Sequence, residues 1–312
     1  MEKKFFLAID GSKNSLLALD CVQQLFRLCQ EISLVLFHAL PPAPPIYQSS
    51  GFMDPVGQKY IRQLKERHQK AIEEILAKTK EDLLKKGWSE SQIKILSREQ
   101  RRGVAHEILF EAKKEMVDAV IIGRRGLGKI EEIYLGSVSN KVIQGAKDIP
   151  VWIVGGRSNP FRILAAVDGS ENSLRSVDHL SFILGGCREE ELQILLLHVW
   201  PGLINLSGLM IVPDLSALSY SEAQYEESIT PYLDRCQGIL QEAGINPGRI
   251  SRKICMRCAD IGKTILKEAG RGDYGTIVLG RRGISKTKEF FLGSVSNKIV
   301  QQARDKAVWI VG

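Results

Sequence analysis

Cysteine is scarce, and the six present in 312 residues are too few to form a disulfide framework, so reduced thiols are expected. Long apolar runs are missing too. Phe5 to Ile9 follows Lys3 and Lys4 as the start of a secretory signal would, but the run ends at Asp10. That is short of the roughly 7–15 apolar residues such a segment needs. The most apolar later stretch, 194–212, carries His198, Pro201, Asn205 and Ser207, whose polar groups and broken backbone would go unsatisfied in lipid. Nor does one sign of charge dominate: 43 Lys and Arg face 36 Asp and Glu, a net +7 with the two signs interleaved. This is the pattern of a solvated surface and not of a nucleic-acid stripe. With 44% hydrophobic and 25% charged residues, the chain is neither disordered nor fibrous. The expectation is a cytoplasmic protein with no membrane or nucleic-acid partner, long enough for two domains.

What is present is a repeat. Residues 123–155 read GRRGLGKIEEIYLGSVSNKVIQGAKDIPVWIVG and residues 280–312 read GRRGISKTKEFFLGSVSNKIVQQARDKAVWIVG, with 21 of 33 positions identical at an offset of 157. FFLAIDGSKNSLLALD from Phe5 pairs with RILAAVDGSENSLRSVD from Arg162, and LVLFHAL ending at Leu40 pairs with ILLLHVW ending at Trp200. A period near half the length makes the chain two copies of one domain, 1–156 and 160–312, joined by the polar stretch Gly155 to Pro160.

Within each copy, short apolar runs alternate with helical patterns. The runs in copy one are Phe5–Ile9, Leu34–Phe37, Ile93–Leu96, Ala119–Ile122 and Val151–Val154, separated by helices over 13–30, 58–86, 104–116 and 137–147. Copy two repeats them at Ile163–Val167, Gln193–Leu197, Ile250–Ile254, Thr276–Leu279 and Val308–Val311. Near-continuous apolar strands between helices predict an α/β fold with a doubly wound parallel sheet. Two Pro/Gly/Ser-rich stretches, 41–57 and 201–219, follow the second strand of each copy and read as functional flaps or as surface loops.

The polar signals collect after the strands, where ligands sit in such sheets. Asp10-Gly11-Ser12 follows the first strand and Asp168-Gly169-Ser170 its copy. After the fourth strand come Gly123, Gly126, Gly136 and Ser137, matched at identical spacing by Gly280, Gly283, Gly293 and Ser294. Glycines let backbone N–H groups approach an anion, and a helix starting at Ser137 would offer its open N–H groups to a phosphate. The same loop resembles a Walker A sequence but is complete in neither copy: Ile130 replaces the metal-binding hydroxyl, and Ser285 replaces a glycine.

Asp-Gly-Ser after the first strand, followed by G-2x-G-9x-G-S after the fourth, resembles the universal stress protein (UspA) family, in particular its ATP-binding branch in a tandem two-domain form. The resemblance covers nearly the whole chain, twice. It implies an adenine nucleotide alpha hydrolase-like sheet of five parallel strands in the order 3-2-1-4-5. Carried over by position, it implies that Asp10 and Asp168 meet the adenosine and that Ala39 and Val199 contact the base through their backbones. Gly123, Gly126, Gly136, Ser137 and Val138, with Gly280, Gly283, Gly293, Ser294 and Val295, would surround ribose and phosphates. It further implies ATP in both copies, with Mg²⁺ or Mn²⁺, and pairing of the two domains through the VWIVG strands; a homodimer stays open.

The chain departs from the commoner family pattern in placing Arg124-Arg125 and Arg281-Arg282 inside the loops. Their forks suit phosphate oxygens, and Arg124 and Arg281 are assigned to the ATP site, with solvent and the domain interface as the other placements. Catalysis has no candidate. Glu132 and Glu289 recur in the spacer and read as solvated charges, and His38 and His198 read as buried or rim residues. Cys255 and Cys258 form a CxxC with no second pair to complete a zinc site. A stress-response regulator or nucleotide sensor is therefore expected. A slow ATP hydrolase and a partner-binding module with vestigial sites are the alternatives.

Overall fold

The computed structural model describes residues 2–29, 31–40, 55–126, 135–156, 159–187, 192–201, 222–283 and 292–312. The two Pro/Gly/Ser-rich stretches lie mostly outside these residues, as do Glu132 and Glu289. Copy one contributes β1 (Lys3–Ala8), α1 (Lys13–Leu28), β2 (Ile32–Leu40), α2 (Pro55–Lys85), β3 (Ile93–Glu99), α3 (Val104–Lys114), β4 (Ala119–Gly123), α4 (Ser137–Gly145) and β5 (Val151–Val154). Copy two contributes β6 (Arg162–Val167), α5 (Glu171–Leu184), β7 (Gln193–Val199), α6 (Glu222–Glu242), β8 (Ile250–Cys255), α7 (Ile261–Arg271), β9 (Thr276–Gly280), α8 (Ser294–Gln302) and β10 (Ala307–Val311).

The strands join into one ten-stranded sheet in the order β3-β2-β1-β4-β5-β10-β9-β6-β7-β8. Each half thus reads 3-2-1-4-5 outward in, and all pairs are parallel except one. β5 and β10 run antiparallel at the centre, with Trp152 opposite Trp309. Period-two alternation divides each strand between two apolar layers. Phe5, Leu7, Leu34 and Leu36 meet α1 and α2, whereas Phe6, Val35, Phe37 and Val120 meet α3 and α4. Helix α1 presents Ala18, Val22, Leu25 and Phe26 at helical spacing to the first layer.

Element ends follow local chemistry. Ser12 caps α1 by accepting the Ser15 N–H (3.2 Å), and Ser170 does the same for Ser173 in α5. Helix α1 stops at Cys29, where the backbone turns extended, two residues before the expected end. Helix α2 stops before Gly87, whose φ of +95° is left-handed. The first strand begins earlier than its apolar run, because Lys3 and Lys4 pair with Ile32 and Ser33. The Lys3 side chain is buried, and its Nζ donates to the Gly185 carbonyl of the other half (2.8 Å).

The expectation of reduced thiols is corrected at one pair. Cys29 and Cys187, 158 residues apart, form a disulfide that joins the halves; Cys21, Cys236, Cys255 and Cys258 are free. Each of the two follows a helix that packs beside the central seam, and the seam brings those helix ends together. Among the described residues no helix is long and apolar enough to cross a membrane.

Candidate functional site

The turn after β1 is built by its own three residues. Asp10 Oδ1 accepts the Ser12 N–H (2.9 Å), Gly11 takes a φ of +78° that other residues resist, and Ser12 caps α1. Asp168, Gly169 (φ +86°) and Ser170 repeat the arrangement. Asp-Gly-Ser is therefore first a device for turning strand into helix, and it leaves the second carboxylate oxygen of each aspartate toward the glycine loop. A Cβ on Gly126 would lie 2.5 Å from Asp10 Oδ2, and one on Gly283 would collide with Asp168 Oδ2. Gly123 is equally confined, its missing Cβ falling 2.7 Å from the Asn14 carbonyl carbon, as that of Gly280 does against Asn172.

The loop leaves β4 and returns to α4. Arg124 N–H donates to Val154 O (2.9 Å), Gly136 N–H donates to Arg124 O (2.9 Å), and Ser139 Oγ ties back to Gly123 O (2.9 Å). The N-cap of α4 is Gly136 and not a serine, and it has no side chain to occupy the open N–H groups of the first turn. In copy two, Gly293 N–H donates to Arg281 O (2.9 Å) and Ser296 Oγ to Gly280 O (2.8 Å).

These parts surround a cleft of about 430 Å³ in copy one, within the size range of small-molecule sites. Asp10, Ala39, Gly123, Gly126, Gly136, Ser137 and Val138 line it, joined by Ile9, Phe37, His38, Val104, Ile108, Ile122, Arg125 and Ser139, among others. The apolar members come from strand ends and from α3, so one end of the cleft is greasy and the other carries the backbone N–H groups of a helix start. Sequence reading missed the apolar wall because those residues carry the same signal as any core position. Val199, Gly280, Gly283, Gly293, Ser294 and Val295 hold the equivalent positions of copy two.

Arg124 and Arg281 are the correction. Arg124 is not among the residues that line the copy-one cleft. Both arginines are buried, and each reaches the C-terminal carbonyls of a helix in the opposite half. Arg124 donates through Nη1 to Ala303 O (3.0 Å) and through Nη2 to Gln301 O (2.7 Å) and Val300 O. Arg281 donates through Nη1 to Ile143 O (2.5 Å) and Ala146 O (2.6 Å), and through Nη2 to Gln144 O (2.7 Å). Burial lowers the Arg124 pKa to about 10, with Arg125 and Arg304 adding to the effect, so it stays charged at neutral pH. The second arginine of the loop, Arg125, is the one that borders the cleft.

His38 and His198 fix the neighbouring strand ends. Each Nδ1 meets the carbonyl at the end of the adjacent first strand, Ile9 O (2.6 Å) and Val167 O (2.8 Å), so Nδ1 carries the proton and Nε2 is the acceptor. Burial lowers both pKa values against the raising influence of those carbonyls and of Asp10 and Asp168. His198 Nε2 takes the Tyr225 hydroxyl (2.8 Å). Cys255 and Cys258 lie at the end of β8, both partly exposed, and the Cys255 thiol is pushed up by burial. Among the described residues no three His, Cys, Asp or Glu side chains gather as a metal site.

The universal stress protein family model matches this chain twice, over residues 1–155 and 161–311. A curated relative, universal stress protein YxiE of Bacillus subtilis (strain 168), is 33% identical over 154 residues, 49% of this chain and 99% of that protein. Two solved structures match across both halves. A universal stress protein from Archaeoglobus fulgidus DSM 4304 covers 99% of this chain and 97% of its own, at 20% identity and a TM-score of 0.63. A putative universal stress protein from Pseudomonas aeruginosa UCBPP-PA14 covers 99% and 93%, at 16% identity and 0.57. At those identities the likeness speaks for the fold alone.

Proposed function

We propose that this chain, which belongs to the universal stress protein family in both its halves, binds ATP in each copy and works as a nucleotide-occupied cytoplasmic regulator or sensor. The observation that carries the reading is the copy-one cleft. It joins an apolar end, suited to a purine, to the Gly136–Ser139 helix start, suited to phosphates. In this reading Asp10 and Asp168 take ribose hydroxyls, and the Ala39 and Val199 backbones read the base edge. The glycines let the loop pack against Asn14 and Asp10, where any side chain would collide, and in this reading the phosphates approach the backbone N–H groups of that loop. Mg²⁺ or Mn²⁺ would ride on the phosphate oxygens, neutralising charge that Arg125 and Arg282 meet from the protein side.

Ser137 and Ser294 are exposed first-turn residues, so glutamate there suits the helix while setting a carboxylate where phosphate would sit. Wild-type protein is expected to release adenine nucleotide on denaturation, or to give a calorimetric ATP titration. The Ser137→Glu/Ser294→Glu chain should keep its circular dichroism and lose ATP. Absence of nucleotide and of any titration signal in the wild-type protein would overturn the reading. So would phosphate release at about one turnover per second or faster, which belongs to an enzyme.

A further inference from the structure

Arg124 and Arg281 each touch both copies at once. The backbone carbonyl of Arg124 accepts the N–H of Gly136, the cap of α4, while its guanidinium grips the last carbonyls of α8. The backbone carbonyl of Arg281 accepts the N–H of Gly293, the cap of α8, while its guanidinium grips the last carbonyls of α4. Two arginines and two nine-residue helices thus close a ring. In it, the N-terminus of each helix belongs to one candidate phosphate site and its C-terminus to the arginine of the other.

We propose that this ring couples the two nucleotide sites, with Arg124 and Arg281 as positioning residues that carry the order imposed by one ligand to the other. The inference rests on the ATP-binding reading and adds its regulation. A helix of nine residues is about 13 Å long, short and packed enough to move as a unit. A triphosphate that fixes Gly136 and the Arg124 carbonyl also fixes the Arg124 side chain, and with it the far end of α8. The second site then has less disorder to lose on binding, which makes the coupling positive. Three carbonyl acceptors per guanidinium make the link specific to arginine. A lysine would keep the charge without the fork.

The test uses the full chain, ATP with Mg²⁺, and hydrogen exchange read by mass spectrometry. The Ser294→Glu variant closes site two to phosphate, so ATP enters only site one. Exchange over 137–145 is expected to slow, and exchange over 294–302 to slow with it by about five-fold or more, the low end of ordinary coupling. Adding Arg124→Gln should abolish the response of 294–302 while leaving that of 137–145. A purely structural cap would instead loosen α8 equally with and without ATP. Protection of 137–145 with no ATP response over 294–302 in the Ser294→Glu chain overturns the coupling alone, whether or not Arg124→Gln folds. No ATP response in either segment overturns the nucleotide reading and the coupling with it.

Discussion

His179 makes the central seam sensitive to acid. It lies buried in α5, and its Nε2 accepts the indole N–H of Trp152 from the other half (3.2 Å), its ring edge-on to both Trp152 and Trp309. An indole N–H can only donate, so the bond exists only while Nε2 is unprotonated. Burial alone lowers the His179 pKa to about 4 from an ordinary 6.5. The folded protein therefore holds a neutral imidazole where the unfolded chain takes up a proton. The contribution to stability is complete above the unfolded value of 6.5 and is lost as pH falls from there toward 4. Between about pH 7.5 and pH 5 the loss from this residue is about 2 kcal/mol. Urea unfolding followed by tryptophan fluorescence, with the seam tryptophans among the reporters, measures it. His179→Gln keeps an acceptor for Trp152 and removes the titration, so the stability difference between wild type and variant should shrink by about 2 kcal/mol on acidification. A difference that stays flat to within about 0.5 kcal/mol across that range would refute the assignment.

The Cys29–Cys187 disulfide closes a loop of 158 residues, for which loop-closure entropy gives a stabilisation of about 5 kcal/mol as an upper figure. Reduction should lower the urea midpoint of the wild-type protein and leave that of Cys29→Ser unchanged; equal midpoints for oxidised and reduced wild type would contradict the pairing. The Arg252–Asp234 ion pair is short (2.5 Å) but exposed, and Asp234→Ala should change stability by less than about 1 kcal/mol in the same assay.

The parts of the fold that were legible in the sequence are those whose cause is local. The apolar runs located the ten strands, and the inner strands stood out because a strand covered on both faces is apolar along its length, whereas the edge strands β3 and β8 keep only a few apolar positions among exposed ones. The spaced glycines marked the loop because a side chain at Gly123 or Gly126 has nowhere to go. What stayed hidden depends on partners far along the chain. Arg124 directly follows Gly123 of the phosphate loop, yet its acceptors lie 176–179 residues away. They reach it only because β5 and β10 pair and swing α8 across the seam. The burial of Lys3 has the same kind of cause, since its acceptor, Gly185, belongs to the other half. Composition read the cysteines as reduced because the Cys29–Cys187 contact exists only after the halves have assembled.

That assembly has an approximate two-fold axis, and the repeat shows where it passes. Asp10 and Asp168 are equivalent positions 158 apart, as are Cys29 and Cys187. Trp152 and Trp309, equivalent at the offset of the C-terminal motif, stack in parallel with centroids 3.7 Å apart. Equivalent residues can touch each other only at the axis, so the disulfide and the tryptophan stack both mark it. Away from the axis, symmetry would demand that every contact occur twice, and the reciprocal arginines obey. His179 does not: its equivalent in copy one is Cys21, a buried free thiol. Trp152 accordingly has an acceptor for its indole N–H, whereas Trp309 Nε1 is buried without one, a loss on the order of 1–3 kcal/mol. Two identical subunits could not differ in this way. A single chain holding both copies can give one half a pH-sensitive histidine at the seam and deny it to the other, which makes the acid response of this seam a property of the tandem form.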